Sequence, residues 1–303
     1  MHDKKLIVIA GPTAIGKTSL AISLAKYLNT VIVSADSRQI YREMNIGVAR
    51  PSKEQLAAVP HYGIANHSIH QPIDVAVYEE ETLQLLSQLF LRYDSIILVG
   101  GTGMYIHSIV HGIDAIPDIP KDIREEVERN YQSKGMTYLT DFLQDKSPES
   151  LHYLDVKNQR RLIRAVEVFM FTGKPLHTFQ VGASKHRDFE VLKFLLVTEK
   201  KILEARINAR VEQMLDEGWE DEARNVWIYK DLRALDTVGY REFFEYFDGK
   251  LTKEECIEWI KIRTRQYAKR QMTWFKKDKD YHWIEANDDA FANICHLLDT
   301  TVQ

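Results

Sequence analysis

The chain has 303 residues, 45% of them hydrophobic, enough for one large buried core or two smaller ones. Its longest apolar runs, Ile96-Ile97-Leu98-Val99 and Phe194-Leu195-Leu196-Val197 among them, are too short to span a bilayer, and the first apolar segment enters a glycine loop instead of a cleavage site. A cytoplasmic chain that neither crosses a membrane nor is secreted is therefore expected. The two cysteines, Cys256 and Cys295, lie far apart with no C-x-x-C partner, so no disulfide framework, redox pair or zinc site is indicated. A formal net charge of −4 argues only weakly against a nucleic-acid partner. Between Ile257 and Tyr281 there are eight basic residues against three acids, a local net of +5.

The first strand-like run, residues 5–10, leads into Gly11-Pro12-Thr13-Ala14-Ile15-Gly16-Lys17-Thr18, which fits G-x-x-x-x-G-K-[ST] and is followed by a helical pattern from Ser19. Strand, loop and helix are in the order a phosphate cradle requires. Glycines let backbone N–H groups turn toward an anion, the helix points its positive end there, Lys17 adds a full charge and the Thr18 hydroxyl can ligate Mg²⁺. A second run at 30–35 delivers Asp36-Ser37-Arg38-Gln39-Ile40-Tyr41, and a third at 95–100 delivers Gly100-Gly101-Thr102-Gly103-Met104-Tyr105. Further runs at 189–197 and 281–286, with helix-length segments between most of them, predict a parallel sheet wrapped by helices, an α/β fold of the P-loop NTPase-like kind.

About 90 residues separate the third and fourth runs, more than one crossover helix needs. The stretch opens on Ile116-Pro117-Asp118-Ile119-Pro120 and closes near Thr172-Gly173-Lys174-Pro175, so residues 119–185 are expected to form a helical insertion between core segments 1–118 and 186–303.

In open α/β sheets the ligand crevice lies beyond the carboxyl ends of the strands. The third run ends in Gly-Gly-Thr where a nucleotide hydrolase would place a metal-binding acid, which leaves Asp36 as the candidate base or metal partner. Taken alone, Asp36 also suits a helix cap. Gly100, Gly101 and Gly103 would admit a flat substrate and leave the Thr102 hydroxyl exposed, or form no more than a tight turn. Over 160–170, Arg160, Arg161 and Arg164 fall on one helical face and Leu162, Ile163, Val166, Phe169 and Met170 on the other. Lys261, Arg265 and Lys269 form a stripe at four-residue spacing, the pattern of an ordinary solvated face unless something else marks it. His61, His67 and His70 lack zinc-type spacing and are given no metal role.

Seven segments in order resemble the tRNA dimethylallyltransferase family: Gly11–Thr18, Asp36–Tyr41, Gly47-Val48-Ala49-Arg50-Pro51, Gly100–Tyr105, Arg160–Val168, Val238-Gly239-Tyr240-Arg241-Glu242 and Thr264–Phe275. The resemblance covers nearly the whole chain. It implies transfer of a dimethylallyl group from dimethylallyl diphosphate to N6 of adenosine 37, beside the anticodon of tRNAs that read codons beginning with U. The phosphates are then a leaving group and nucleotide hydrolysis is not required. The resemblance further implies a monomer with Mg²⁺ as cofactor. It makes Asp36 and Thr102 catalytic, the first accepting the amine proton and the second positioning the amine. It puts Gly11, Thr13, Ala14, Ile15, Gly16, Lys17, Thr18 and Arg210 at the diphosphate. Against the anticodon stem-loop it places Asp36, Ser37, Arg38, Gln39, Thr102, Arg124, Arg160, Arg161, Leu162, Ile163 and Arg164. Ile15 stands where the family usually has Ser, and altered loop packing with retained activity is expected. A P-loop kinase for a small molecule, a prenyltransferase acting on free adenine nucleotides and a non-catalytic RNA-binding module are the rival readings. The glycine cluster and the two basic segments weigh against the first two, and the intact loop with Asp36 and Thr102 against the third.

Overall fold

The computed structural model describes residues 4–71, 73–180, 182 and 185–300. Six parallel strands form one sheet: β1 (Lys5–Ala10), β2 (Ile32–Ser34), β3 (His61–Tyr62), β4 (Ser95–Gly100), β5 (Glu190–Val197) and β6 (His282–Glu285), in the order β3-β2-β4-β1-β5-β6. The helices are α1 (Lys17–Tyr27), α2 (Lys53–Ala58), α3 (Val75–Leu89), α4 (Gly103–His111), α5 (Lys121–Lys134), α6 (Met136–Lys146), α7 (Ser150–Tyr153) and α8 (Gln159–Thr172), then α9 (Lys200–Asp216), α10 (Trp219–Val226), α11 (Tyr240–Phe247), α12 (Lys253–Phe275) and α13 (Ala290–Thr300). This is an α/β fold with helices on both faces of the sheet.

The central strands read as unbroken apolar runs because both of their faces are covered. Leu6, Val8 and Ala10 of β1 point into a cluster with Tyr78 and Leu86 of α3 and Ile106 and Ile109 of α4. Ile7 and Ile9 point the other way, onto Ala21 and Leu24 of α1 and Ile294 and Leu298 of α13. A third cluster joins Ile40, Tyr41 and Met44 to Trp219, Ala223, Tyr240, Phe243, Cys256 and Ile260, so that α10, α11 and the start of α12 hold the loop that follows β2.

The chain divides into two compact units, Met1–Val110 with His186–Gln303, and His111–Lys185. The second unit begins eight residues before the expected 119, since the apolar pattern of α4 ends at Val110 and residues 112–120 are coil. Its own core gathers Ile119, Val127, Leu139, Leu143, Leu162, Val166 and Leu176. α8 ends where Gly173 takes up φ 68°, and that residue's N–H caps the Phe169 carbonyl. Val181, Ala183 and Ser184, within the expected insertion, lie outside the described residues, as do the terminal residues 1–3 and 301–303.

Candidate active site

Strand register brings three loops to one edge of the sheet. Ala10 pairs with Gly100, and Ser34 pairs with Val99, so the loops after β1, β2 and β4 start at the same level. A Cβ on Gly100 would lie 2.1 Å from the Ala35 carbonyl oxygen, a closeness only glycine permits.

In the loop after β1, Gly11 has φ 154° and Gly16 φ 103°, while Ala14 is left-handed at φ 62°. The Ile15 side chain is 2% exposed and packs with Ala21, Leu24 and Leu196, so it props the loop from beneath and offers only its backbone to an anion. Lys17 Nζ donates to the Pro12 carbonyl at 2.7 Å. Burial pushes the Lys17 ammonium down to about 7, which the neighbouring Asp36 carboxylate opposes and the Arg210 guanidinium reinforces. Burial also lowers Arg210, against the pull of Asp36 and Glu217. Arg210 comes from α9, and the charge of Asp36 acts on both of these desolvated cations.

Asp36 does what its capping alternative requires: Oδ1 accepts the N–H groups of Arg38 at 2.8 Å and Gln39 at 3.3 Å. Oδ2 makes no hydrogen bond among the described residues. Cap and proton acceptor are thus compatible, one oxygen for each. Thr102 is not the exposed hydroxyl expected. Its Oγ accepts the Ser37 N–H at 3.0 Å and donates to Ser37 Oγ at 3.3 Å, and Tyr267 of α12 lies close enough to feel it.

The side chains of Arg38 and Gln39, expected against RNA, are occupied within the protein. Arg38 donates to the carbonyls of Ala234 at 2.8 Å, Asp236 at 3.2 Å and Arg233 at 3.4 Å. Gln39 Nε2 donates to Ala49 and Val48 carbonyls at 3.0 and 3.3 Å. These bonds fix the loop between 36 and 50. Glu222 does so from the other side, accepting the N–H groups of Asn45, Ile46 and Gly47 at 2.8–2.9 Å and the Tyr240 hydroxyl at 2.6 Å.

The inner face of α12 supplies residues to which sequence reasoning gave no role. Tyr267 meets Thr102, and its hydroxyl is pushed up to about 12 by burial and the Asp36 charge. One turn on, Gln271 Oε1 accepts the Thr13 N–H at 2.9 Å while its Nε2 donates to the Gly101 carbonyl at 2.8 Å. Trp274 covers Gly103, where a Cβ would lie 2.1 Å from the indole Cδ1. The only signal was the Thr264–Phe275 match itself, since a polar residue in an amphipathic helix does not announce an inward face. Two members of the stripe on α12 are not solvated: Lys261 pairs with Glu212 at 2.6 Å and Arg265 donates to Asn208 at 2.8 Å, both bonds to α9, whereas Lys269 is exposed.

In the second unit, Arg160 and Arg161 are exposed, whereas Arg164 is half-buried against Glu167 at 3.3 Å and the Pro117 carbonyl at 3.4 Å. Arg124 is exposed and paired with Asp118. Leu162 is fully buried in that unit's core, so its side chain is not placed to meet RNA and instead seats the helix that carries the arginines; Ile163 is partly buried against the same core. His67 is bound to Glu81 at 2.9 Å and His61 to the Val59 carbonyl at 2.8 Å. Among the described residues no group of three or more His, Cys, Asp or Glu is placed to hold a metal, and no helix is long and apolar enough to cross a membrane.

This chain's residues 39–278 match a family model described as IPP transferase. It is 42% identical over 301 residues to the tRNA dimethylallyltransferase of Cytophaga hutchinsonii, covering 99% of this chain and 98% of that one. With the tRNA dimethylallyltransferase of Christiangramia forsetii it shares 41% identity over 297 residues, 98% of each. The crystal structure of a tRNA isopentenylpyrophosphate transferase from Bacillus halodurans superposes with a TM-score of 0.73 at 33% identity, covering 98% of this chain and 96% of that one. A eukaryotic dimethylallyltransferase crystallised acting on tRNA superposes at 0.79, covering 97% of this chain and 78% of that one, and at 24% identity speaks for the fold alone.

Proposed function

The chain belongs to the IPP transferase family, and we propose that it transfers a dimethylallyl group from dimethylallyl diphosphate to N6 of adenosine 37 in tRNAs that read codons beginning with U. The observation that carries this reading is that the Asp36 carboxylate, whose charge is felt by both Lys17 and Arg210, follows β2 beside the loop after β4, to which the Ser37 N–H is bonded through the Thr102 hydroxyl. Two desolvated like charges repel each other and are most comfortable around an anion, which suits a diphosphate. A carboxylate oxygen left free at the same edge suits a group that must lose a proton.

The allylic carbon–oxygen bond breaks, the amine nitrogen bonds to that carbon, and diphosphate leaves on the phosphate loop. Backbone N–H groups of the loop, Lys17 and Arg210 hold the charge that develops on the departing oxygens. Asp36 Oδ2 takes the amine proton, and Thr102 positions the amine. The adenosine has to leave the stacked anticodon loop to enter this edge, and exposed Arg160 and Arg161 on the second unit are assigned to the RNA backbone. The donors on offer suit Mg²⁺ held chiefly by substrate: the Thr18 hydroxyl makes no hydrogen bond among the described residues, and a small hard cation takes one or two protein ligands with phosphate oxygens and water. When bound it would neutralise part of the diphosphate charge.

Incubation with dimethylallyl diphosphate, Mg²⁺ and unmodified tRNA carrying A36-A37-A38, followed by nucleoside mass spectrometry, tests the proposal. A prenylated adenosine at position 37 is the expected product. Turnover of ATP without that product would sink the reading and favour a kinase.

A further inference from the structure

We propose that Gln271 is a positioning residue that clasps the two substrate loops together and keeps one phosphate-loop N–H away from the diphosphate. The assignment of the diphosphate to the loop after β1 and of the acceptor base to the loop after β4 rests on the function proposed above; the clasp itself is geometric. Gln271 is 7% exposed, and its amide is engaged at both ends: Oε1 accepts from Thr13 N–H at 2.9 Å, and Nε2 donates to the Gly101 carbonyl at 2.8 Å. Those partners lie 258 and 170 residues away in sequence, on two different loops that meet at this one helix turn.

The approach is close enough to dictate the neighbour. A Cβ on Gly101 would stand 2.2 Å from Gln271 Nε2, so the glycine is there to admit the amide. A carboxamide is the one uncharged side chain of this length that offers an acceptor and a donor side by side. An aliphatic replacement would leave the Thr13 N–H and the Gly101 carbonyl without their partner.

The clasp acts on the reaction in two ways. Allylic transfer needs the amine and the carbon held within about 3–3.5 Å of each other, and a displacement of about 1 Å costs on the order of a hundredfold in rate. Gln271 fixes the spacing of the loops that carry the two reactants. Its other effect is less ordinary for a phosphate loop. Because Thr13 N–H is spent on Gln271, the anion is left to the N–H groups that follow it, from Ala14 to Thr18, and releasing Thr13 adds a donor near the diphosphate.

The variants Gln271→Met and Gln271→Glu test this. The Met variant should lose roughly tenfold to a hundredfold in single-turnover rate with both substrates saturating, while its affinity for inorganic diphosphate stays within about twofold of native or tightens. A helix that merely supports the fold predicts the reverse, weaker diphosphate binding and a normal rate at saturation. The Glu variant reproduces both bonds as a neutral acid and loses the donor as a carboxylate, and burial beside a carbonyl raises its pKa. Its rate relative to native should therefore recover as pH falls. Amide exchange at Thr13 should be slow in the native chain and fast in the Met variant, and this readout needs no activity. If the native chain made no prenylated product, the proposed function would fail while the exchange and diphosphate measurements still judged the clasp. If the Met variant does not fold, the Glu variant decides. A Met variant at native rate, weaker diphosphate binding with the rate intact, unchanged Thr13 exchange, or a Glu-to-native ratio independent of pH would each overturn the inference.

Discussion

The Thr102 hydroxyl accepts the backbone N–H of Ser37 at 3.0 Å, tying the loop after β4 to the loop after β2 across 65 residues of sequence. A hydroxyl has one proton and two lone pairs, and Ser37 N–H takes one lone pair outright. The hydroxyl's proton goes to Ser37 Oγ at 3.3 Å, so under the proposed function the second lone pair is what the hydroxyl has left to offer an incoming amine. Thr102→Val, which keeps the shape and removes the oxygen, should lower the single-turnover rate roughly tenfold to a hundredfold and the folding stability by about 1 kcal/mol. Thr102→Ser should recover most of both. Valine at the native rate in a quenched-flow assay would remove Thr102 from the chemistry.

Lys17 gives a pH dependence with a defined sign. Its ammonium is held down to about 7 in the free protein, against an ordinary 10.5, by burial first and by Arg210 in addition, with Asp36 opposing. Diphosphate restores the charged form, so above about pH 7 binding must take up a proton and the affinity falls by up to about tenfold per pH unit. Titration calorimetry in buffers of different ionisation heat reads the proton count directly. The same depressed value means that this lysine's contribution to stability increases with pH between about 7 and 10.5, where the unfolded chain binds the extra proton. Diphosphate affinity that is level from pH 6 to 9 with no proton uptake would contradict this.

Gly47 is a packing requirement. A Cβ there would stand 2.1 Å from Trp219 Nε1 and 2.7 Å from the Tyr240 ring, and Glu222 holds the loop by three backbone N–H groups so that it cannot retreat. Gly47→Ala should destabilise the chain by roughly 1–3 kcal/mol, the usual cost of overpacking, seen as a lower midpoint in urea. Native stability in this variant would show that the loop is free to shift.

The strands were legible where burial on both faces turned them into apolar runs, as in β1, β4 and β5. β3 was not, because His61-Tyr62 is two residues long and neither is apolar enough to stand out. The phosphate loop, Asp36 and the glycine cluster could be picked out as a candidate site because each directly follows a strand. Tyr267 and Gln271 were not, since which face of α12 turns inward depends on α9 and on two loops distant in sequence. The Lys261–Arg265 stripe misled for the same reason: four-residue spacing tells which side chains share a face and says nothing of the acid or amide a neighbouring helix presents to them. Leu162 and Ile163 were drawn in with the arginines on either side of them, although the 3.6-residue period turns them to the core.

Arg160→Glu combined with Arg161→Glu should weaken tRNA binding and leave diphosphate binding nearly unchanged. Arg164 is spared because its bonds to Glu167 and the Pro117 carbonyl support the helix itself. For each RNA phosphate that the variant no longer neutralises, the slope of log affinity against log salt should flatten by about 0.7 to 0.9. Filter binding across a salt series would show it, and an unchanged affinity and slope would return this face to plain solvent.

The proposed chemistry needs the second oxygen of Asp36 as proton acceptor, and Asp36→Asn removes it. Asparagine keeps an oxygen for the Arg38 and Gln39 N–H groups, and the fold should persist. With dimethylallyl diphosphate and tRNA both saturating, the single-turnover rate of prenylation should fall roughly 10²- to 10⁴-fold, with substrate affinities changed little. A rate within a few fold of native under those conditions would contradict the proton-acceptor role and leave Asp36 as a cap for the turn at residues 36–39.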